Sequence, residues 1–421
     1  MNISYQVTPL QYRLKYCIEH CILAIAFFLP LSLTITSLFL AGGTVLWFGK
    51  MIAARRMELR RSPFDILVIL LVVFSAASIW GSPDRGFSFY NYYHLMGRYV
   101  LLYYLVINNV QSPQQVRRLV LTVLFSAGVV AAYGFYQYVH GVDMAFGWVD
   151  GDQFPDLKVR VFSTLQNPNL LAGYLVVMIA VAAGIGCNAN HRGEKALFFA
   201  LVLALGVCLV LTYSRGAWIS VLALIIAFGV LKNRKILWLL ALIPVTMVIG
   251  HELVMDRLLS IMNPTDTSST LRLALWESTI AMITGHPWLG IGWGAYWMVY
   301  PEYDFFVLNA NTKILHAHNM YLHIAAEIGL PGFLTFLGIL CGHAYSAYRL
   351  AARATDRWSA GLMLGVVGAM VSIAVGGLTD YVLFSIQMSM LFWLLNSLVI
   401  VLYLAEGHRQ PLNLVNKNHK M

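Results

Sequence analysis

The feature that most constrains this chain is a series of apolar runs, each close to the length of a membrane-spanning helix. Runs rich in Leu, Val, Ile and Ala recur along the 421 residues, and a helix needs roughly 20 such residues to cross the hydrocarbon core of a bilayer. The alternating pattern of a membrane barrel is absent from the sequence. Hydrophobic residues make up 59% of the chain and charged residues 11%, which excludes a water-soluble globular protein. The sequence therefore predicts an integral membrane protein that crosses the bilayer with helices.

The runs predict an all-α, polytopic transmembrane bundle of about 12 spans. Residues 1–250 hold helices 1–9 with short loops, 251–318 form one large extracytoplasmic loop that contains short helices, 319–404 hold helices 10–12, and 405–421 are a cytoplasmic tail. The predicted spans are 17–30, 31–49, 63–80, 91–108, 118–139, 168–187, 196–213, 216–231, 236–250, 319–347, 359–379 and 382–404.

Positive charge is distributed over alternate loops. With a cytoplasmic N-terminus, most of the 28 Lys and Arg residues lie on one side, as the positive-inside rule expects. The net charge of +9 is then a signal of membrane topology rather than of nucleic-acid binding, and both termini are cytoplasmic. The basic residues that fall on the outer side or within a span suggest a bound anion. They are Arg85, Arg98, Lys158, Arg160, Arg215, Arg257, Arg272 and Lys313. The alternatives are surface salt bridges for Arg85 and Arg257 and a pairing inside the bundle for Arg98.

The large loop contains a predicted helix and a predicted turn. Residues Thr270 to Thr284 have a helical pattern that places Arg272 and Trp276 on one face, at i,i+4 spacing. The glycine-rich stretch 288–294 follows. We predict a re-entrant turn there rather than a phosphate-binding loop, because no strand precedes it.

Three polar segments converge on the outer side in this topology. Arg160 is followed by an Asn-Pro-Asn turn at 167–169, and Arg215 lies in the short turn before the eighth span. The arginine fork makes bidentate hydrogen bonds and keeps its charge at every relevant pH, so two outer arginines suggest a site for a diphosphate. The alternatives are a snorkelling interfacial residue for Arg215, an ordinary loop arginine for Arg160, and a turn that only starts a helix.

The third segment is the polar start of the tenth span, where His316, His318 and Asn319 lead into an apolar helix. Histidine titrates near neutrality and can take a proton from a hydroxyl. The alternative is a polar cluster that caps the helix at the membrane interface. His323, one turn further along, is expected to matter much less. Candidates for orienting the base are Glu302, Asp304 and Glu327.

At these residues the chain resembles the O-antigen ligase and polymerase family of bacterial membrane glycosyltransferases. The resemblance covers residues 159–332 and depends on the order of short motifs around the long outer loop. The motifs are Arg160 with Asn167-Pro168-Asn169, Ser214-Arg215-Gly216, Arg272 with Trp276, His286-Pro287 with Gly290-Ile291-Gly292, and His318-Asn319 with Leu322.

The resemblance implies an inverting transferase of the bacterial inner membrane whose active site faces the periplasm. Such an enzyme moves a glycan from undecaprenyl diphosphate to an acceptor hydroxyl, with no metal or other cofactor. By this likeness Arg160 and Arg215 hold the diphosphate and His318 activates the acceptor, with His316 as a second candidate. Substrate-binding roles are expected for Arg272, Trp276, His316, Asn319 and Asn167.

The acceptor stays open at this point. Lipid A-core would make the protein a ligase, a second lipid-linked unit would make it a polymerase, and a protein hydroxyl would make it a protein O-oligosaccharyltransferase. A transporter for the same lipid-linked glycan is the rival from another class. Against it, transporters are often built from matched halves, and this chain shows no internal repeat.

Overall fold

A computed structural model describes residues 8–57, 59–142, 160–241, 267–304 and 313–407. These residues form α-helices and short 3₁₀ turns, and no strand occurs among them. The α-helices are α1 Pro9–Phe28, α2 Leu33–Ala54, α3 Asp65–Ser78, α4 Arg85–Asn109, α5 Pro113–His140, α6 Pro168–Asn188, α7 Arg192–Val210, α8 Arg215–Leu231, α9 Thr267–Gly285, α10 Tyr296–Val299, α11 Met320–Arg353, α12 Arg357–Gly376 and α13 Ile386–Gly407.

Seven of the described helices are long and apolar enough to cross a membrane: α2, α5, α6, α7, α11, α12 and α13. The apolar helices at Asp65–Gly81 and Arg215–Leu231 are shorter. The all-helical prediction is confirmed, whereas the number of about 12 spans stays a prediction. The ninth predicted span begins as a 3₁₀ helix, Arg234–Ala241.

Some predictions lie outside the described residues. They concern the end of the ninth span at 242–250, the start of the large loop at 251–266, the basic residues Lys158 and Arg257, and most of the cytoplasmic tail. The helix predicted at 270–284 is confirmed by α9, which runs from Thr267 to Gly285.

The centre of the bundle is the tight pair formed by α6 and α12. A Cβ atom on Gly184 of α6 would overlap the backbone of Gly361 and Gly365 in α12. Small residues let two membrane helices approach closely and gain dispersion contacts along their backbones. The buried side chains of α6 and α12 thus form a fixed core, and the polar segments lie at its ends.

The two ends of the bundle differ in chemistry. At one end, basic residues from the predicted cytoplasmic loops pair with polar groups of neighbouring helices. The pairs are Lys15 with Gln111, Lys50 with Asn109, Arg117 with Glu194, Lys232 with Asn188 and Arg357 with Asn190. The polar segments around Arg160, Arg215 and His318 lie at the other end. The predicted inner and outer loops thus lie at different ends of the bundle, and the side of a membrane that each end faces stays a prediction.

Exposed aromatic side chains surround the end that carries His318. They lie in the first turns of α4 and the last turns of α5, where aromatic rings suit the boundary between lipid and water. These residues are Phe89, Tyr90, Tyr93, Tyr133, Tyr136 and Tyr138.

Helix α11 is kinked one third of the way along. Gly329 has φ of 70°, and Pro331 lacks the N–H that would bond the Glu327 carbonyl in a regular helix. Gly292 supplies that bond, donating its N–H to the Glu327 carbonyl over 3.1 Å. The long span predicted at 319–347 is therefore two helical segments rather than one.

The glycine-rich stretch is a turn that docks on this kink through its main chain. Ile291 donates its N–H to the Ala326 carbonyl over 2.8 Å, and Leu330 donates to the Pro287 carbonyl over 2.8 Å. Gly290 has φ of 73°, and a Cβ atom there would overlap the α11 backbone. Glycine is required at this position because both the dihedral angle and the close approach exclude a side chain.

Candidate functional site

A cluster of two histidines and one aspartate lies at the start of α11. His318 Nδ1 is 3.2 Å from Asp380 Oδ1, and the rings of His316 and His318 are 4.2 Å apart. His318 donates its backbone N–H to His316 Nδ1 over 3.3 Å. His318 has φ of 48°, a left-handed conformation that is uncommon for a residue other than glycine and often marks a functional position.

The charges in the cluster are set by burial and by neighbours. Burial of the imidazole lowers the pKa of His316 to about 3, and the neighbouring His318 adds to this effect. Burial alone would raise the pKa of Asp380, but the hydrogen bond and charge of His318 hold it well below its ordinary value. Arg272 acts in the same direction on both groups. At neutral pH, His316 is therefore uncharged and Asp380 is a carboxylate.

An ionised Asp380 decides the tautomer of His318. The carboxylate can only accept a hydrogen bond, so Nδ1 of His318 carries the hydrogen and donates it to Asp380. Nε2 is then the ring nitrogen with a free lone pair, which is the arrangement of a general base held by an acidic partner. The side chain of His318 is 33% exposed, so a substrate can reach it.

Asn319 and Asn167 both act as helix N-caps. The side-chain oxygen of Asn319 accepts the N–H groups of Tyr321 and Leu322 at the start of α11. The oxygen of Asn167 caps α6 in the same way. Asn319 also donates its amide to the Leu378 carbonyl over 3.2 Å, which ties the start of α11 to the turn before Asp380. Their expected substrate-binding roles stay predictions.

Arg160 is buried and is bonded to the turn between α7 and α8. Its Nε donates to the Thr212 carbonyl over 2.9 Å, and a terminal nitrogen donates to Asn169 Oδ1 over 3.0 Å. The next residue along this turn, Tyr213, has φ of 52°. Arg160 thus holds the turn that presents Arg215 at the first position of α8.

The start of α8 packs against the turn that carries Asp380. A Cβ atom on Gly216 would lie 2.9 Å from Thr379 Oγ1, next to Asp380 in the chain. Arg272 is close enough for its charge to act on His316 and Asp380. Trp276 lies one turn further along α9, and its buried indole N–H has no hydrogen-bond partner among the described residues.

The structure thus brings most of the predicted residues to one end of the bundle. His316, His318 and Arg272 surround Asp380, and the helix that begins with Arg215 packs on the same turn. Arg160 joins this assembly through its hydrogen bonds to the α7–α8 turn and to Asn169.

Asp380 was missed by the sequence analysis. Asp304, an expected partner of the base, accepts a hydrogen bond from the Tyr300 hydroxyl over 3.1 Å, and Glu327 lies 3.2 Å from His323. Glu302 is exposed. A signal for Asp380 was present, since it is the only acidic residue between Asp356 and Glu406 and lies where two apolar runs meet on the predicted outer side.

The same cluster is where a metal ion would be sought. His316, His318 and Asp380 offer ligand atoms within 4.8 Å of one another. A cation there would have to replace the bond between His318 and Asp380 and would face the positive charge of Arg272. The arrangement fits proton transfer better, and the expected absence of a metal stays a prediction.

Comparison with known proteins identifies the central part of the chain. Residues 199–337, about a third of the sequence, match the model of a family described as O-antigen ligase. The match includes Arg215, Arg272 and His318, and it confirms the resemblance predicted from the motifs. Arg160 and Asp380 lie outside the matched segment. No curated protein matches the chain.

Proposed function

We propose, from the O-antigen ligase match, that this protein is a membrane glycosyltransferase that uses a lipid diphosphate donor. It transfers a glycan from undecaprenyl diphosphate to an acceptor hydroxyl at the periplasmic face of the bacterial inner membrane. The family match supports glycosyltransferase chemistry, and the apolar helices support a place in the membrane. The observation that carries the proposal is the pairing of His318 with Asp380 beside Arg272.

The reaction is a single displacement at the anomeric carbon of the donor glycan. Nε2 of His318 takes the proton of the acceptor hydroxyl while the acceptor oxygen forms a bond to the anomeric carbon. The bond from that carbon to the diphosphate oxygen breaks, and its electron pair leaves with undecaprenyl diphosphate. Attack from the side opposite the leaving group inverts the anomeric centre. Asp380 stabilises the imidazolium formed at His318.

The leaving diphosphate needs positive charge where its own charge grows. Arg215 lies at the N-terminus of α8, where its guanidinium and the helix dipole both favour an anion. Arg160 contributes by holding the turn before Arg215 and by adding a buried positive charge nearby. Groups fixed in advance at the developing charge need no reorganisation during the reaction, which is why they lower the barrier effectively.

The remaining residues are assigned to the substrates. Arg272 and Trp276 lie one helical turn apart on α9, where a cation and an aromatic ring suit a phosphate or a sugar. His316 stays uncharged beside the base, and Asn319 and Asn167 fix the helix starts that border the site. No metal or other cofactor is assigned, because arginines take the place of a divalent ion beside the diphosphate.

The test is reconstitution of the purified protein in vesicles with a lipid-linked glycan. We expect glycan to appear covalently on an added acceptor, and the acceptor that works distinguishes lipid A-core, a second lipid-linked unit and a protein hydroxyl. Movement of the intact donor across the bilayer without any transfer would instead indicate a transporter and would refute the proposal.

A further inference from the structure

His323 lies close to the candidate base and contacts both the loop with His316 and His318 and the turn that follows Asp380. Its side chain is buried, with 1% exposed, and Nδ1 accepts the backbone N–H of Ala317 at 3.4 Å. Ala317 separates the two histidines of the cluster in sequence. His323 is thus bonded directly to the loop that carries His316 and His318.

The same ring packs against the turn that carries Asp380. Its centroid is 4.6 Å from the ring of Tyr381 and 6.1 Å from the ring of Phe384. Tyr381 donates its N–H to Asp380 Oδ1 over 2.8 Å. One side chain therefore contacts both the loop with the base and the turn with its carboxylate partner.

A third contact reaches the outer helices. The ring of Tyr296 lies 4.8 Å from His323, and the Tyr296 hydroxyl is 2.8 Å from Thr279 Oγ1 in α9. Arg272 and Trp276 are on this same helix. His323 thus links the proton-transfer pair to the helix with the expected substrate-binding residues.

Glu327 fixes the protonation of His323. Because Nδ1 accepts the Ala317 N–H, it carries no hydrogen, and the single ring hydrogen must be on Nε2. Nε2 is 3.2 Å from Glu327 Oε1, so the carboxylate accepts that hydrogen. The backbone carbonyl of Glu327 is held in turn by Gly292. This chain of bonds holds the imidazole in one tautomer and one orientation.

We propose that His323 is a positioning residue for the transferase site, with Glu327 setting its tautomer. The inference depends on the proposed function only for its kinetic readout. It revises the sequence expectation that His323 matters much less than His318. A displacement of reacting groups by about 1 Å can cost on the order of 10²-fold in rate, so loss of this support acts mainly on turnover.

The test compares two substitutions of His323 in the reconstituted full-length protein. Gln keeps one acceptor for Ala317 and one donor for Glu327, whereas Phe keeps the ring and loses both bonds. We expect His323→Phe to lower kcat by about 10-fold to 10²-fold with KM for the donor changed less than about threefold, and His323→Gln to retain most activity. His94→Phe, at a partly exposed position on α4, is the matched control and should behave as wild type.

Two kinetic results would overturn the inference: wild-type turnover in His323→Phe, or equal losses in the Gln and Phe variants. Nitrogen-15 spectra of the histidine-labelled wild-type protein give a readout that needs no activity, with the Phe and Gln variants assigning the His323 signals. A hydrogen on Nε2 of His323 supports the inference, and a hydrogen on Nδ1 overturns it. If no donor and acceptor pair supports transfer, the proposed function fails while this spectrum still decides the position of the hydrogen.

Discussion

Replacement of Asp380 by Asn tests the central pair most directly. Asn has nearly the same shape, so the N–H of Tyr381 keeps an acceptor at position 380. The carboxylate charge is lost. Oδ1 of Asp380 accepts both the Tyr381 N–H and the His318 Nδ1 hydrogen, so an Asn oxygen in that place keeps both bonds but lacks the charge that stabilises the imidazolium. If the amide rotates, its NH2 group faces His318 Nδ1, the Tyr381 N–H loses its acceptor, and the hydrogen of the His318 ring moves to Nε2, which can then no longer take a proton.

The size of the effect follows from two contributions. A hydrogen bond to a charged group is worth about 1.5–3 kcal/mol, and each 1.36 kcal/mol corresponds to about tenfold in rate. Loss of charge alone therefore predicts a decrease of about 10-fold to 10²-fold. The wrong tautomer costs up to about 10⁴-fold in the Ser-His-Asp enzymes, where the histidine has the same relation to an aspartate. We expect Asp380→Asn to lower turnover by about 10-fold to 10²-fold where the Asn oxygen keeps the position of Oδ1, and by up to about 10⁴-fold where the amide rotates.

The assay is single-turnover transfer from the lipid-linked donor in vesicles, normalised to the amount of folded protein. Asp304→Asn is the matched control, since Asp304 is an aspartate that accepts a hydrogen bond from the Tyr300 hydroxyl. Activity of Asp380→Asn within about threefold of wild type would refute the assignment of His318 as a base oriented by Asp380.

Four further outcomes are expected. His318→Ala should abolish transfer while the protein stays abundant in membranes, and His140→Ala, at an exposed position on α5, should leave transfer intact; equal losses would indicate a packing defect. Arg215→Lys should keep expression and some donor binding but lose transfer by about 10²-fold or more, because lysine keeps the charge and loses the fork; near-normal turnover would remove Arg215 from the site. Activity should persist in excess chelator, and strict dependence on added magnesium or manganese would contradict the assignment of arginines to the diphosphate. Burial lowers the pKa of His316 in the folded protein, so between pH 6.5 and 3 the unfolded chain binds an extra proton at this residue. The stability of the folded protein should therefore fall as the pH decreases over this range. The Tm of His316→Gln in detergent should decrease less, and an unchanged dependence of Tm on pH would show that another group is responsible.

The parts of the fold that were predictable from sequence depend on local patterns. The sixth span was predicted at 168–187, and α6 runs from Pro168 to Asn188. Its start is defined by an Asn cap followed by proline, and its length by an uninterrupted apolar run. Helix α9 was predictable from its helical pattern, which stops at Gly285 and Pro287. The number of about 12 spans stays a prediction, because composition alone does not say which apolar segments form helices long enough to cross a membrane.

The parts of the site that were missed depend on contacts between distant segments. His318 was found because a histidine at a membrane boundary is conspicuous, but its pairing with Asp380 joins residues 62 positions apart in the chain. Glu302, Asp304 and Glu327 were the candidates for orienting His318, and the sequence did not choose among them. A regular helix places Glu327 one turn from His323, and their bond follows from that i,i+4 spacing. The local spacing thus accounts for the pair of His323 with Glu327, whereas the pair of His318 with Asp380 is set by the fold.

The glycine turn docks on the α11 kink through main-chain hydrogen bonds, which leaves its outward-facing side chains open to substitution. The turn is held by backbone N–H and carbonyl groups and by the buried side chain of Ile291, so its attachment does not depend on the side chains that face outward. Trp288 and Leu289 are exposed there. Substitution of Trp288 or Leu289 should therefore leave the turn docked and the pair of His318 with Asp380 unchanged. In proteins that keep this docking, the spacing of Gly290, Gly292 and Gly329 should vary less than the residues around these glycines.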